Sequence, residues 1–173
     1  GLDFAMSWDD SKSTGENIAN FTGSFIQGAT IAAGTTVLVT STGLVVGVGA
    51  ISTVVTIGIT YGLRKAGYDL GDGLQDLYSE YIDTTIKISN LSGDKPLGSI
   101  EDTFLVNQLK KAEALKVKIG DVERQVKDYI GNKPVNENNP IKVELNKDNS
   151  IEIKNSDNTK SVISEDIQKN YNP

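Results

Sequence analysis

Between Glu16 and Arg64 the chain runs for 47 residues without one charged side chain. In a sequence of which 23% is charged, a gap of that length dictates where the chain can place this segment. Residues 17–63 comprise 24 apolar residues, 8 Gly, 12 Ser or Thr and 3 amides, so the run is apolar but rich in small residues. Its densest part extends from Phe25 to Leu63 and is interrupted at Thr40-Ser41-Thr42-Gly43. As helices, the limbs 24–40 and 44–63 would span roughly 25 and 30 Å, close to the ~30 Å hydrocarbon core of a bilayer. The spacing therefore predicts a hydrophobic helical hairpin able to enter a membrane. Two other arrangements are open at this point. The run can be the core of a soluble domain, wrapped by the remaining helices. It can also be β: Val55, Ile57, Ile59, Tyr61 and Leu63 alternate with Thr56, Gly58, Thr60 and Gly62, the period of a strand.

The small residues suit helix packing in lipid, where close backbone approach replaces the hydrophobic drive. Gly28, Ala29, Ala33, Gly34, Gly43, Gly47, Gly58 and Gly62 are the candidate packing positions, several of them four residues apart. Trp8, Tyr61 and Tyr68 are candidate interfacial anchors, with Arg64 and Lys65 closing the run. The run starts too late, lacks a basic leader and extends too far for a secretory signal. Its N-terminal flank carries Asp3, Asp9, Asp10 and Glu16, and carrying these carboxylates into lipid favours protonation first. Acid-promoted insertion is the expectation.

The chain has no histidine and no cysteine. That removes thiol nucleophiles, His-based proton shuttles, disulfides and the usual zinc sets. No cofactor and no metal site is expected. A net charge of −6 and a pI near 4.7 speak against nucleic acid as the partner, since phosphate binding needs a basic face. Asp9-Asp10 offers a carboxylate pair for hydrolysis, but such pairs are common, and the chain reads as non-enzymatic.

Beyond Tyr68, Leu70, Leu74, Leu77, Tyr81, Ile82, Thr85 and Ile86 recur at helical spacing up to about Ser89. Asp69, Asp72, Asp76, Glu80 and Asp83 form an acidic stripe on that helix, and Gly67, Gly71 and Gly73 predict a flexible joint at its start. A loop at Leu91–Gly98 leads to a second helix with an apolar seam of Leu105, Leu109, Ala112, Leu115, Ile119, Val122, Val126 and Tyr129, ending at Gly131. An Asn-rich stretch follows. Ile141, Val143 and Leu145, then Ile151 and Ile153, alternate with polar residues around Lys147-Asp148-Asn149-Ser150, which predicts a β-hairpin, with Val162-Ile163 as a short third strand. The fold class expected is mainly α with a small C-terminal antiparallel β-hairpin (α+β): residues 1–133 form a helical domain around the hydrophobic hairpin 24–63, and 134–173 an appendage. Both ends read as cuts through a longer protein.

This layout resembles the translocation or membrane-active region of bacterial polymorphic toxins, including contact-dependent growth inhibition proteins. The likeness covers residues 17–139: a Gly/Thr-rich uncharged hairpin, amphipathic helices, then an Asn-rich junction. Those toxins often carry a Val-Glu-Asn-Asn junction motif; here Val135-Asn136-Glu137-Asn138-Asn139 has one residue interposed. The resemblance implies a secreted or cell-surface module that acts on a target-cell membrane. It also implies a lipid bilayer as partner and an immunity or chaperone protein covering the hairpin, with oligomerisation compatible. It carries over no catalytic residue. The alternative is a soluble interaction or scaffold domain of a larger secreted protein, with 24–63 as buried core.

Overall fold

Apolar spacing and β-branched content divide this chain into an α+β structure. The computed structural model describes residues 8–20, 35–40, 43–48, 53–57, 63, 66–92, 103–131, 135–136 and 138–170. In chain order these form α1 (Thr14–Asn20), β1 (Thr35–Thr40), β2 (Gly43–Val48), β3 (Thr53–Ile57), β4 (Asp69–Leu70), α2 (Asp72–Ser92), α3 (Thr103–Ile130), β5 (Lys142–Leu145), β6 (Ile151–Lys154), β7 (Lys160–Ile163) and α4 (Glu165–Lys169).

The uncharged run is where the structure corrects the sequence reading. Between residues 35 and 57 its described part is a three-stranded antiparallel sheet in the order β1-β2-β3, not a helical hairpin. Thr40 pairs with Gly43 and Thr35 with Val48, while Leu44 pairs with Ile57 and Val48 with Thr53. The physical reason is composition. Val, Ile and Thr lose side-chain freedom in a helix and suit a pleated sheet, and each interior Gly costs a helix about 1 kcal/mol relative to Ala. The expected break at 40–43 is a strand-to-strand connection. The rest of the predicted hairpin, residues 24–34, 41–42, 49–52 and 58–62, lies outside the described residues.

One apolar core draws on residues from both sides of position 134. It unites Leu63, Leu70, Leu74 and Leu77 with Ile119, Val122, Val126 and Ile130 of α3, and with Ile141, Val143, Leu145, Ile151, Ile153 and Ile163. The second sheet has the order β4-β5-β6-β7. Strand β4 runs parallel to β5, with Leu70 opposite Val143, and β5, β6 and β7 are antiparallel. A parallel neighbour needs a long crossover, and here α2 and α3 supply it. On α3 only the C-terminal half of the expected seam is fully buried. Leu105, Leu109, Ala112 and Leu115 are partly exposed, and Tyr129 is half exposed while Ile130 takes the core position. The helix stops at Gly131, whose φ of +60° is the left-handed cap and whose N–H donates to Lys127 O at 2.9 Å.

Helix α2 begins at Asp72, not at Tyr68, and two of the three glycines at its start, Gly71 and Gly73, are closely packed. A Cβ on Gly71 would lie 2.0 Å from Glu144 Oε2, and one on Gly73 would lie 1.8 Å from Leu145 O. Gly73 N–H donates to Glu144 Oε1 at 2.7 Å, so a carboxylate from β5 satisfies a free amide in the first turn of α2.

The turns on either side of β6 are near copies, nine residues apart: Asn146-Lys-Asp-Asn-Ser150 and Asn155-Ser-Asp-Asn-Thr159. In each, the first Asn bonds through its amide to the final hydroxyl at 3.0 Å, and the Asp carboxylate accepts from that residue's N–H and hydroxyl. Asn149 and Asn158 occupy the left-handed region at φ of 66° and 69°. Asn tolerates that region better than other side chains.

Candidate functional site

The charge-free sheet is moored to the body at both ends. On its N-terminal side, Ser13 and Glu16 form a reciprocal cap on α1: Glu16 N–H donates to Ser13 Oγ at 3.0 Å and Ser13 N–H to Glu16 Oε1 at 3.4 Å. Asp83 of α2 then accepts from Ser13 Oγ at 2.5 Å and from Gly15 N–H at 2.8 Å. Gly15 is required here, because a Cβ would lie 2.4 Å from Ser79 O. Asn17, Ile18 and Ala19, the first residues of the run, are buried. On its C-terminal side, Leu63 is fully buried in the core, and Tyr68 N–H donates to Leu63 O at 3.0 Å. Between these points β3 lies against α2.

Of the predicted packing glycines, Gly43 and Gly47 lie on β2, opposite Thr40 and Thr36. Four residues apart on a strand, they share one face of the sheet, which replaces the helix-face reading. Gly28, Ala29, Ala33, Gly34, Gly58 and Gly62 lie outside the described residues, as do Tyr61, Arg64 and Lys65. Trp8 is partly buried at the start of the described chain, and Tyr68 packs against the core.

Of the acidic stripe, Asp76, Glu80 and Asp83 of α2 line one shallow groove together with Glu16, while Asp69 lies off the helix. Asp69 lies on β4, in register with Lys142. Asp72 and Asp76 are exposed on α2, and Glu80 pairs with Lys111 of α3 at 3.0 Å, an exposed contact of small energetic value. Asp83 is the mooring of α1. Among the described residues no cluster of three or more His, Cys, Asp or Glu is arranged to hold a metal. The N-terminal flank is equally specialised. The Ser11 hydroxyl and N–H beside Asp9 hold its carboxyl below the ordinary carboxylate range, and Asp9 N–H donates to Asn17 Oδ1 at 2.8 Å.

Sequence reasoning missed the buried polar residues of α3. Glu123 places Oε1 2.8 Å from Lys127 Nζ, while its buried Oε2 has no hydrogen-bond partner, and burial pushes its carboxyl upward against the opposing pull of Lys127. Gln125, buried, leaves Oε1 without a donor and lines a shallow groove of about 690 Å³. Val117 of α3, Asn149 and Gln168 also line that groove, with charged side chains such as Lys118 and Glu165 around them, and Gln168 Nε2 donates to Asn149 O at 2.6 Å. The Ser13-Thr-Gly-Glu16 pattern was a usable signal for the α1 cap. Nothing in sequence spacing signals a carboxylate reaching α2 from β5.

No helix among the described residues is long and apolar enough to cross a membrane. No protein-family model, no curated protein and no solved structure matches this chain.

Proposed function

We propose that the chain is a non-enzymatic, membrane-active module of a secreted bacterial toxin, in which residues 24–63 enter the bilayer of a target cell in β form. The observation that carries this reading is the charge-free run itself, folded over its described part as an antiparallel sheet. Such a sheet brings no charge into lipid, and β2 has its backbone groups paired on both sides; the outer sides of β1 and β3 would need further strands to pair with before entering hydrocarbon. Strands of five or six residues span only about 17–20 Å, short of the roughly 9–11 residues of a membrane strand; β1 and β3 have flanks to lengthen into, whereas β2, between connections of two and four residues, can reach only about eight. An immunity or chaperone partner would then cover the sheet before release. The contact of β3 with α2 favours a second reading, a soluble interaction domain that keeps the sheet as part of its own packing.

Vesicles of phosphatidylethanolamine and phosphatidylglycerol separate the two. The full chain is expected to float with the vesicles and release trapped dye, and Val46→Asp, a carboxylate on the central strand, is expected to cut release at least tenfold. Asp9, held below the ordinary carboxylate range by its hydrogen bonds from Ser11, stays ionised at pH 5 and supplies no acid response. Absence of flotation and release at both pH 7 and pH 5 would rule out membrane action and leave the interaction domain.

A further inference from the structure

Among the described residues strand β1 is an edge, and its sequence is unusual. Among the described residues it pairs only with β2. Two residues separate its last paired position, Thr40, from Gly43, and so short a connection closes on a hydrogen-bonded pair. Pairs alternate along an antiparallel ladder, so the backbone groups of Thr36, Leu38 and Thr40 turn toward β2. Those of Thr35, Val37 and Val39 turn to the side away from β2. Natural edges are protected from self-pairing by Lys, Pro or bulges, and β1 has no Lys and no Pro.

Its sequence is also a palindrome: Thr36-Val37-Leu38-Val39-Thr40 reads the same in both directions about Leu38. An antiparallel pair is related by a two-fold axis. An axis through Leu38 places Thr36 opposite Thr40 of the other strand and Val37 opposite Val39. Those are Thr–Thr and β-branched pairs, which are favourable across strands. The outward groups of Val37 and Val39 then meet each other as hydrogen-bonded pairs, and Leu38 falls at a non-hydrogen-bonded pair on the axis. We infer that β1 is a homodimerisation edge, at which two copies of this chain join their β1 strands about Leu38 into one six-stranded antiparallel sheet. An isologous contact of this kind closes at two and does not propagate. The inference stands whether or not the sheet enters a bilayer.

The absence of cysteine from the chain makes the test clean. Opposed Cα atoms in a non-hydrogen-bonded pair lie about 4.5 Å apart, within disulfide reach. Leu38→Cys in the full chain is therefore expected to give a disulfide-linked dimer under mild oxidation, at least tenfold faster than Val162→Cys on the exposed strand β7. Light scattering of the unmodified chain should give twice 18.6 kDa. Val39→Pro removes an N–H that faces outward and is not used by the β1–β2 ladder. It should raise the dimer dissociation constant at least tenfold with an unchanged circular dichroism spectrum. A monomer at 100 µM, equal crosslinking of the two cysteine variants, or a dimer that survives Val39→Pro with its spectrum intact would overturn the inference.

Discussion

Glu123 is a carboxylate that the fold buries without fully satisfying. One oxygen meets Lys127; the other has no donor, and the side chain is 8% exposed. Desolvation raises its pKa above the ordinary 4.5, with the Lys127 contact opposing it. A raised folded-state value means that the fold favours the protonated form. Stability linked to this group is greatest below the unfolded value and is lost as the pH climbs through the folded one. Glu123→Met keeps the volume and removes the charge, and is expected to raise stability by about 1–2 kcal/mol at pH 7. The gain should shrink below the ordinary value of 4.5, where the carboxyl is neutral in both states. Thermal melts at pH 7 and pH 3.5 check both the sign and its pH dependence. The residue was illegible in the sequence because its neighbours on α3, Asp121, Arg124, Lys127 and Asp128, are also charged, and only packing distinguishes the buried member from the solvated ones.

The paired turns around β6 show how an element can be specified locally. Both set an Asn in the left-handed region, and both close with an Asp carboxylate on a Ser or Thr. A side chain without Asn's local hydrogen bonding costs about 1–2 kcal/mol in that conformation, whereas Gly adopts it freely. Asn158→Ala is therefore expected to lower stability by about 1 kcal/mol, and Asn158→Gly by clearly less, in urea melts of the two variants. Elements of this local kind were readable: the buried faces of β5 and β6 follow the alternation of Val143, Leu145, Ile151 and Ile153. The helical spacing of Leu74, Leu77 and Ile82 likewise marks the buried side of α2. The charge-free run resisted the same treatment. Length and lack of charge suit a buried helix or a buried strand equally, and small residues blur the period that would tell them apart. The glycines of α2 misled for a related reason. Gly71 and Gly73 suggest freedom when counted in sequence, but Gly71 is packed against Glu144 and Gly73 against Glu144 and Leu145, residues more than seventy positions away.

At the scale of the whole molecule, a charge-free sheet is held on an α+β body by two attachments of different chemistry. The C-terminal one is Leu63, an apolar anchor in the main core that cannot release without opening that core. The N-terminal one joins a polar contact, Asp83 with Ser13 and Gly15, to the buried side chains of Ile18 and Ala19, all of them outside the core cluster that holds Leu63. Asp83→Ala removes an acceptor from two donors at the start of α1, a loss of about 1–2 kcal/mol by comparison with other helix caps. Hydrogen exchange of amides 14–19 is expected to quicken roughly tenfold, while exchange in α3 and β5–β6 stays unchanged. Asp76→Ala, an exposed carboxylate on the same helix, should leave both regions as they were. Uniform quickening across the chain would mean that Asp83 supports the fold as a whole, and no quickening at 14–19 would mean that the buried residues Ile18 and Ala19 hold this end without it.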